Sequence, residues 1–334
     1  MSSTLERFED MPVIGSIIKY FNDNLGILIG LTGMLVFLSI FAENFLTVSN
    51  GLNVLRAIST NGLLAIGVML SIMLAGIDLT GGALLAVSGV VTVMCMQSFG
   101  LNMWVSIMLG LVVGMAAGSA NGAIIAFTGI HPFVVTLAMQ SICRGSAYLL
   151  ADGKPVPLET ADKEAYSLIG NGDLFGVPLP AIYVLVAFLG LYVFLNKTRT
   201  GRHIYAVGGN PKAARFSGIS TTKVKILVWS ISGVLAAFAG IVLSARMTSG
   251  QPTQGVAYET DAIAAVVLGG TSFFGGVGRV GGVFIGVLII GLISNGLTLM
   301  HVNSFWQYVV KGVIILVAVY FDMQKNKGSV RTEV

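Results

Sequence analysis

Ionisable side chains inside apolar segments are the first residues in this sequence that could do chemistry. Asp78, Arg144, Glu259, Asp261 and Lys311 each lie within or beside a long apolar run. A charge in an apolar membrane span costs about 2.5 to 3.5 kcal/mol on insertion scales, so each side chain needs a partner, a polar cavity or a helix end. Arg144 and Lys311 are expected to pair with a carboxylate or to extend toward the membrane surface.

The simplest expectation for the carboxylates is structural. Asp78 lies in a glycine-flanked stretch and is expected to cap the helix that starts near Thr80, on the cytoplasmic side. Glu259 and Asp261 lie at the outer start of a short apolar run and are expected to cap its first turn. The alternatives for Asp78 are a position lining a gate and an ion pair. The functional alternative for Glu259 and Asp261 is the outer mouth of a path for a polar solute.

Uncharged amide side chains form a second set of candidates. Asn121, Gln140, Asn295 and Gln307 lie within or beside apolar runs. Amides offer hydrogen bonds to a neutral polar solute without the cost of a buried charge, but in membrane proteins they also join helices to one another. Both interpretations stay open. The candidate path or gate residues are Asp78, Thr80, Asn121, Gln140, Glu259, Asp261 and Asn295.

The most basic segment of the chain runs from Asn196 to Lys225 and contains no acidic residue. Within it, Asn210 is expected to cap a short helix that has Pro211 at its first position and stops near Gly218. This cationic helix follows a glycine pair that would act as a hinge. It suits either an anionic membrane surface or a groove on a partner protein, and composition leaves both open. The basic side chains are Lys197, Arg199, Arg202, Lys212, Arg215, Lys223 and Lys225.

Several kinds of site are missing from the sequence. It contains neither a GxxxxGKS nor a GxxxxGKT phosphate loop, and no nucleophile, base and orienting group form a motif. Cys95 and Cys143 lie in apolar runs, and His131 and His301 lack metal-ligand company, so neither a disulfide nor a metal site is expected. The formal charge of +4 comes from one loop rather than a basic face with aromatics, which argues against nucleic-acid binding.

The composition is that of a membrane protein. Of the 334 residues, 55% are hydrophobic and only 10% are charged, and the mean hydropathy is +0.87. The 43 glycines suit helices that pack closely in lipid. Runs that could cross about 30 Å of hydrocarbon lie at 24–42, 58–75, 82–98, 103–127, 132–150, 179–195, 224–244, 280–300 and 305–321. With a short or broken helix near 260–270, the sequence predicts an all-α integral membrane protein of about ten transmembrane helices.

Charges beside the runs predict the orientation of the chain, because Lys and Arg are retained on the cytoplasmic side. The segment 196–225 is then cytoplasmic, and the acidic loop 152–178, one span earlier, is extracytoplasmic. Counting spans places the N-terminal segment 1–23 and the tail 322–334 in the cytoplasm. The first residues are acidic, unlike a signal peptide, so the first span is expected to be retained. We expect the whole chain, 1–334, to form a single transmembrane domain.

Several stretches of this sequence resemble one family. The run Gly208–Ile219, preceded by Asn196–Arg202, is similar to the cytoplasmic coupling segment of the ribose-type ABC sugar-importer permeases. The stretches Ala65–Thr80, Tyr258–Ser272 and Trp306–Gly312 resemble other parts of the same family. The resemblance covers nearly the whole chain, and it implies the transmembrane subunit of an ATP-driven importer in a bacterial cytoplasmic (inner) membrane.

The resemblance also implies partners and roles. It implies a second permease copy or a paralogue, cytoplasmic ABC ATPase subunits that hold ATP and Mg²⁺, and an extracytoplasmic sugar-binding protein. This chain would then bind no cofactor, would not be an enzyme, and would contact lipid and the sugar substrate. In the family, the helix after Asn210 is expected to enter a cleft on the ATPase. The coupling residues are therefore Gly208, Gly209, Asn210, Pro211, Lys212, Ala213, Ala214 and Arg215.

Two questions stay open at the level of sequence. Ribose is favoured as the sugar, but Val302–Tyr308 also resembles galactose permeases, so a hexose is not ruled out. The main alternative to an ATP-driven importer is a stand-alone secondary transporter or channel for small polar solutes, which broken helices would also permit. The basic segment 196–225 discriminates between these classes, because a self-sufficient carrier has no need of it.

Overall fold

The computed structural model describes residues 25–330, which form thirteen helices and four two-residue strands. The N-terminal half contains α1 (Leu25–Phe41), α2 (Val48–Met73), α3 (Gly81–Gln97), α4 (Met103–Thr128), α5 (Pro132–Leu150), β1 (Val156–Pro157) and α6 (Lys163–Asn171). The remainder contains β2 (Asp173–Leu174), β3 (Val177–Pro178), α7 (Leu179–Lys197), α8 (Arg199–Gly209), α9 (Pro211–Phe216), α10 (Thr221–Met247), β4 (Ser249–Gly250), α11 (Tyr258–Leu268), α12 (Val280–Leu299) and α13 (Ser304–Val330).

The predicted all-α membrane fold is confirmed. In the described part of the chain, six helices are long and apolar enough to cross a membrane, namely α2, α4, α5, α7, α10 and α12. The apolar parts of α1, α3 and α13 are shorter. Helix α11 has 11 residues, which is roughly 16 Å of helix and too short to cross alone. The total of ten crossings stays a prediction.

The hydropathy pattern missed the first turns of α2, because these turns contain polar residues. The helix begins at Val48, well before the predicted start at residue 58. Thr47 caps it by accepting a hydrogen bond of 3.3 Å from the Asn50 backbone N–H. The polar residues that follow, Asn50 among them, lower the hydropathy of these turns without ending the helix.

Helix α10 packs against α2, α3 and α4 and forms the centre of the bundle. Close approach of α4 to α10 depends on glycine: a Cβ at Gly114 would overlap the Gly233 carbonyl oxygen, and a Cβ at Gly118 would overlap that of Trp229. Backbone-to-backbone packing of this kind is how membrane helices associate without a hydrophobic driving force. It agrees with the packing role that we expect for the glycines.

The predicted acidic loop 152–178 folds back onto the bundle. Its helix α6 buries Tyr166, whose hydroxyl lies 2.6 Å from the Ser244 hydroxyl near the end of α10. Burial raises the pKa of the Tyr166 phenol, so this group stays protonated. Strand β1 pairs with β4 and thereby ties the same loop to the segment that leads into α11.

Candidate functional site

The break between α2 and α3 lies inside the helix bundle. Asp78 is 2% exposed, and its Oδ2 accepts a hydrogen bond of 2.7 Å from Ser232 Oγ. Its Oδ1 accepts hydrogen bonds from the backbone N–H and the hydroxyl of Thr80, just before α3. These bonds resemble the capping role expected for Asp78. The depth differs from the expectation: Ser232 lies near the middle of the 27-residue α10, so Asp78 lies at mid-bundle rather than at the cytoplasmic end.

The short helix α11 begins beside the start of α3. Glu259 is 8% exposed, and its Oε1 accepts a hydrogen bond of 3.0 Å from Gln140 Nε2. Its Oε2 has no hydrogen-bond partner among the described residues. A Cβ at Gly82 would overlap both this oxygen and the Gly255 carbonyl oxygen. The N-terminal ends of two short helices therefore meet at one carboxylate, whose charge their dipoles favour.

A buried ion pair connects α11 to α13. Lys311 Nζ lies 2.8 Å from Asp261 Oδ2, and Asn61 Nδ2 donates to the same oxygen at 3.4 Å. Within residues 25–330, Asp261 Oδ1 and Asn61 Oδ1 lack hydrogen-bond partners. Glu259 and Asp261 lie in the first turn of α11, as expected, and the Glu259 carboxylate interacts with its own backbone N–H there. The cap residue itself is Ala257, without a side-chain hydrogen bond. Both acids are also held by side chains of other helices.

Helix α5 contacts two non-helical segments, the break 74–80 and the segment 251–257, through polar side chains spaced four residues apart. Thr136 Oγ1 donates 2.9 Å to a carbonyl oxygen in the break before α3. Gln140 donates to the α11 carboxylate described above. Arg144 Nη1 donates to the Pro252 and Gln254 carbonyl oxygens, each at 2.6 Å. Arg144 was expected to pair with a carboxylate or to reach the membrane surface. It interacts electrostatically with the Glu259 carboxylate, while its hydrogen bonds go to backbone carbonyls, which need partners inside a membrane.

The other amide candidates are not part of this cluster. Asn295 exchanges two hydrogen bonds with Asn50, of 2.8 and 3.1 Å, and so joins α12 to α2. Gln307 donates to Thr298 Oγ1 at 3.3 Å. Asn121 is fully buried, and neither of its amide atoms has a partner in the described chain. Of the amides considered as path residues, Gln140 is the one bonded to a candidate carboxylate.

The reciprocal amide pair makes a testable contribution to stability. We expect Asn295→Ala to lower the free energy of unfolding by about 0.6 to 1.7 kcal/mol, because the Asn50 amide loses its partner on α12. Thermal unfolding of the purified protein in detergent measures this loss. The double variant Asn50→Ala with Asn295→Ala should lose less than the sum of Asn50→Ala and Asn295→Ala made singly; strict additivity would show that the pair contributes nothing.

The predicted coupling helix exists and is capped as expected. Asn210 Oδ1 accepts a hydrogen bond of 2.9 Å from the Ala213 N–H, and Pro211 is the first residue of α9. The helix ends at Phe216, and Gly218 adopts the left-handed conformation at φ +81°. The basic segment thus contains two helices, α8 and α9, rather than the single one predicted.

An exposed aromatic residue ends α9. Phe216 is 93% exposed and follows the exposed Arg215, while Lys212 on the same helix is also exposed. The predicted coupling residues stop at Arg215 and do not include Phe216. Its signal in the sequence is an aromatic residue at the end of a cationic helix, which suits an anchor in a protein interface and also an anionic membrane surface.

Helix α8 packs against the bundle at Gly208. A Cβ at Gly208 would overlap the Met73 carbonyl oxygen at the end of α2. That same oxygen accepts a hydrogen bond of 2.9 Å from the Gly276 N–H, in the loop between α11 and α12. The Tyr205 hydroxyl donates 3.0 Å to the Gly278 carbonyl oxygen. Burial raises the pKa of Tyr205, so its hydroxyl remains a donor around neutral pH.

The glycine pair is therefore not a hinge. Gly208 and Gly209 both belong to α8; Gly208 is buried, whereas Gly209 is exposed and its Cβ position is open in the described chain. Helix α8 therefore contacts both the end of α2 and the loop between α11 and α12.

An apolar helix bundle with breaks inside it is an arrangement that transport proteins use. Residues 50–319 match the family described as "Branched-chain amino acid transport system / permease component". The chain belongs to this family of permeases.

Its curated relatives narrow the assignment. The ribose import permease of Bacillus subtilis (strain 168) is 45% identical over 302 residues, covering 90% of this chain and 93% of that protein. The L-arabinose permease of Escherichia coli (strain K12) is 38% identical, covering 92% of each chain. The D-allose permease of the same strain is 40% identical, covering 87% and 89%. The chain is thus a member of the ribose-type ABC sugar permeases, and the resemblance stated from its motifs is confirmed.

Proposed function

We propose that this chain forms the translocation path of an ABC importer for a monosaccharide. The observation that carries the proposal is the 45% identity to a ribose import permease over nearly the whole of both chains. A ribose-like pentose is favoured, since two of the three relatives described are named for pentoses, ribose and arabinose. The allose relative keeps a hexose open.

The proposed assembly contains further subunits. Cytoplasmic ABC ATPases hydrolyse ATP with Mg²⁺, and this chain, which is not an enzyme, converts their closure into movement of its helices. An extracytoplasmic binding protein delivers the sugar, and a second permease copy or a paralogue completes the path in a lipid bilayer of the cytoplasmic membrane. In this assignment both termini are cytoplasmic; residues 1–24 and 331–334 lie outside the described residues.

We place the sugar path beside the carboxylates at the start of α11. Glu259 Oε2, Asp261 Oδ1 and Asn61 Oδ1 are buried acceptors that the described chain leaves without donors. Sugar hydroxyls are donors of the matching kind, and carboxylate and amide oxygens are common acceptors for them. The bonded groups Asp78, Thr80 and Asn295 are assigned to structure rather than to sugar contact, and fully buried Asn121 has no assigned role.

The sugar and the partners are identified by one experiment. Cross-linked capture of the full chain from native membranes, followed by mass spectrometry, should recover an ABC ATPase and an extracytoplasmic binding protein. That binding protein is then tested against ribose, arabinose, allose and galactose, and we expect ribose to bind most tightly. A captured binding protein that ignores every monosaccharide and prefers another class of solute would overturn the sugar assignment.

Phe216 makes a prediction about the ATPase contact. We expect Phe216→Ala to weaken binding of the ATPase subunit about thirtyfold, because loss of a central aromatic anchor costs about 2 kcal/mol or more. Co-purification with the ATPase over a concentration series measures the effect. The matched control is Phe175→Ala, since Phe175 is 97% exposed in the opposite, acidic loop. Equal retention of the ATPase by the two variants would contradict docking through α9.

A further inference from the structure

One face of α5 connects the two non-helical segments inside the bundle. Its polar side chains Thr136, Gln140 and Arg144 lie at i, i+4 and i+8, so they share a face of the helix. The first binds the break 74–80, the second binds the carboxylate at the start of α11, and the third binds the segment 251–257 that precedes α11. The three residues together are called the α5 polar face below.

The segment 251–257 occupies the space above the buried carboxylate of α11. It contains left-handed Gly255, at φ +72°, and left-handed Ala257, at φ +65°. The cavity between this segment, α3 and α10 measures about 10 Å³, which is room for a water molecule and far too little for a monosaccharide. The segment also packs on the start of α3, where a Cβ at Gly255 would overlap the Gly82 carbonyl oxygen and a Cβ at Gly82 would overlap Glu259 Oε2. It therefore lies beside Glu259, next to the acceptors proposed for sugar hydroxyls.

We propose that the α5 polar face is the positioning element of a gate, and that the segment 251–257, held by Arg144, is the gate itself. This inference rests on the proposed function, since it assigns the closure to the path of that transporter. The face holds both breaks in the observed closed arrangement and sets the ends of α3 and α11 around Glu259. Opening requires that Arg144 release the Pro252 and Gln254 carbonyl oxygens.

The chemistry of the side chain fits this role. Irregular backbone at membrane depth persists only where its polar groups are satisfied, and a single guanidinium nitrogen satisfies two carbonyls of the segment. A hydrogen bond from a charged donor is stronger than one between neutral groups. When the segment moves, the Arg144 guanidinium can donate to other acceptors in place of these carbonyls. Arg144 therefore holds the gate closed through two hydrogen bonds to backbone carbonyls and an electrostatic attraction to the Glu259 carboxylate.

The test uses the assembled transporter, with its ATPase subunits, in vesicles preloaded with radiolabelled ribose and lacking ATP. We expect Arg144→Gln to raise passive ribose efflux about tenfold. The substitution removes the charge-assisted hydrogen bonds to Pro252 and Gln254, which exist in the closed state and not in the open one, so it destabilises the closed state. Thr136→Val, which keeps the side-chain shape, should raise efflux by a smaller factor, and Arg144→Lys should be intermediate. Ser141→Ala is the control, since Ser141 faces outward on the same helix and bonds only within it.

A second readout separates this inference from the proposed function. Hydrogen–deuterium exchange of the segment 251–257 should speed up in Arg144→Gln and stay unchanged in Ser141→Ala, whatever the transported solute. Faster exchange with unchanged efflux would make Arg144 a purely structural residue and overturn the gate. If Arg144→Gln fails to fold, the gate is tested with Thr136→Val and Arg144→Lys. Efflux from both variants at the wild-type rate would overturn the gate as well. Failure of the wild-type complex to take up sugar with ATP would instead count against the proposed function.

Discussion

The Gly208→Ala variant is expected to lose at least nine-tenths of ATP-driven sugar uptake while ATP hydrolysis by the assembled complex continues. An added methyl group at this position would overlap the Met73 carbonyl oxygen, and overpacking of this kind costs about 1 to 3 kcal/mol. The relief is a shift of α8 away from α2 and from the loop after α11, and we propose that the ATPase acts through this contact. Uptake and phosphate release are measured in the same proteoliposomes.

The neighbouring glycine supplies the control. Gly209 follows directly in α8, but its Cβ position is open in the described part of the chain, so no packing reason is left for its predicted coupling role. Gly209→Ala should therefore transport sugar nearly as well as the wild type. Equal loss in both variants would point to a general effect on the helix. Full coupled uptake by Gly208→Ala would contradict the assignment of α8 as the element that transmits movement.

The buried ion pair between α11 and α13 is expected to give the largest effect on stability. Asp261→Asn or Lys311→Met, made singly, should lower the free energy of unfolding by about 3 to 5 kcal/mol, because each leaves an uncompensated charge among apolar helices. The side chains are 6% and 15% exposed, so water offers little compensation. The shift in thermal unfolding midpoint of the detergent-purified protein, followed by size-exclusion chromatography after heating, measures the loss.

The double variant decides whether the pair itself matters. Asp261→Leu combined with Lys311→Met removes both charges and should recover most of the stability lost by either single change. Lys212→Met, on exposed α9, is the control and should leave the midpoint unchanged. Single variants as stable as the wild type would mean that the two charges do not depend on each other.

Features that depend on local sequence were predictable. The membrane helices follow from apolar runs, and the cap of α9 follows from Asn210 and Pro211 standing side by side, since a cap needs only a few neighbouring residues. The start of α2 was missed because hydropathy responds to polar side chains such as Asn50, whereas the helix responds to its Thr47 cap.

Features that depend on distant contacts were not predictable from one sequence. The depth of Asp78 is fixed by Ser232, 154 positions away, and the bond of Gln140 to Glu259 joins residues 119 positions apart. The face formed by Thr136, Gln140 and Arg144 did leave a signal, a four-residue spacing of polar groups in an apolar helix. What that face binds could be learned only from the folded chain.

The most direct test of the central claim is sugar accumulation by proteoliposomes that contain this permease with its ATPase subunits, compared with the permease alone. With the binding protein and ATP each on its proper side, we expect the complete system to accumulate ribose or a related monosaccharide against its gradient. The permease alone should accumulate none under a proton or sodium gradient. Accumulation by the isolated chain under such an ion gradient, without ATPase or binding protein, would contradict the claim and identify a secondary transporter.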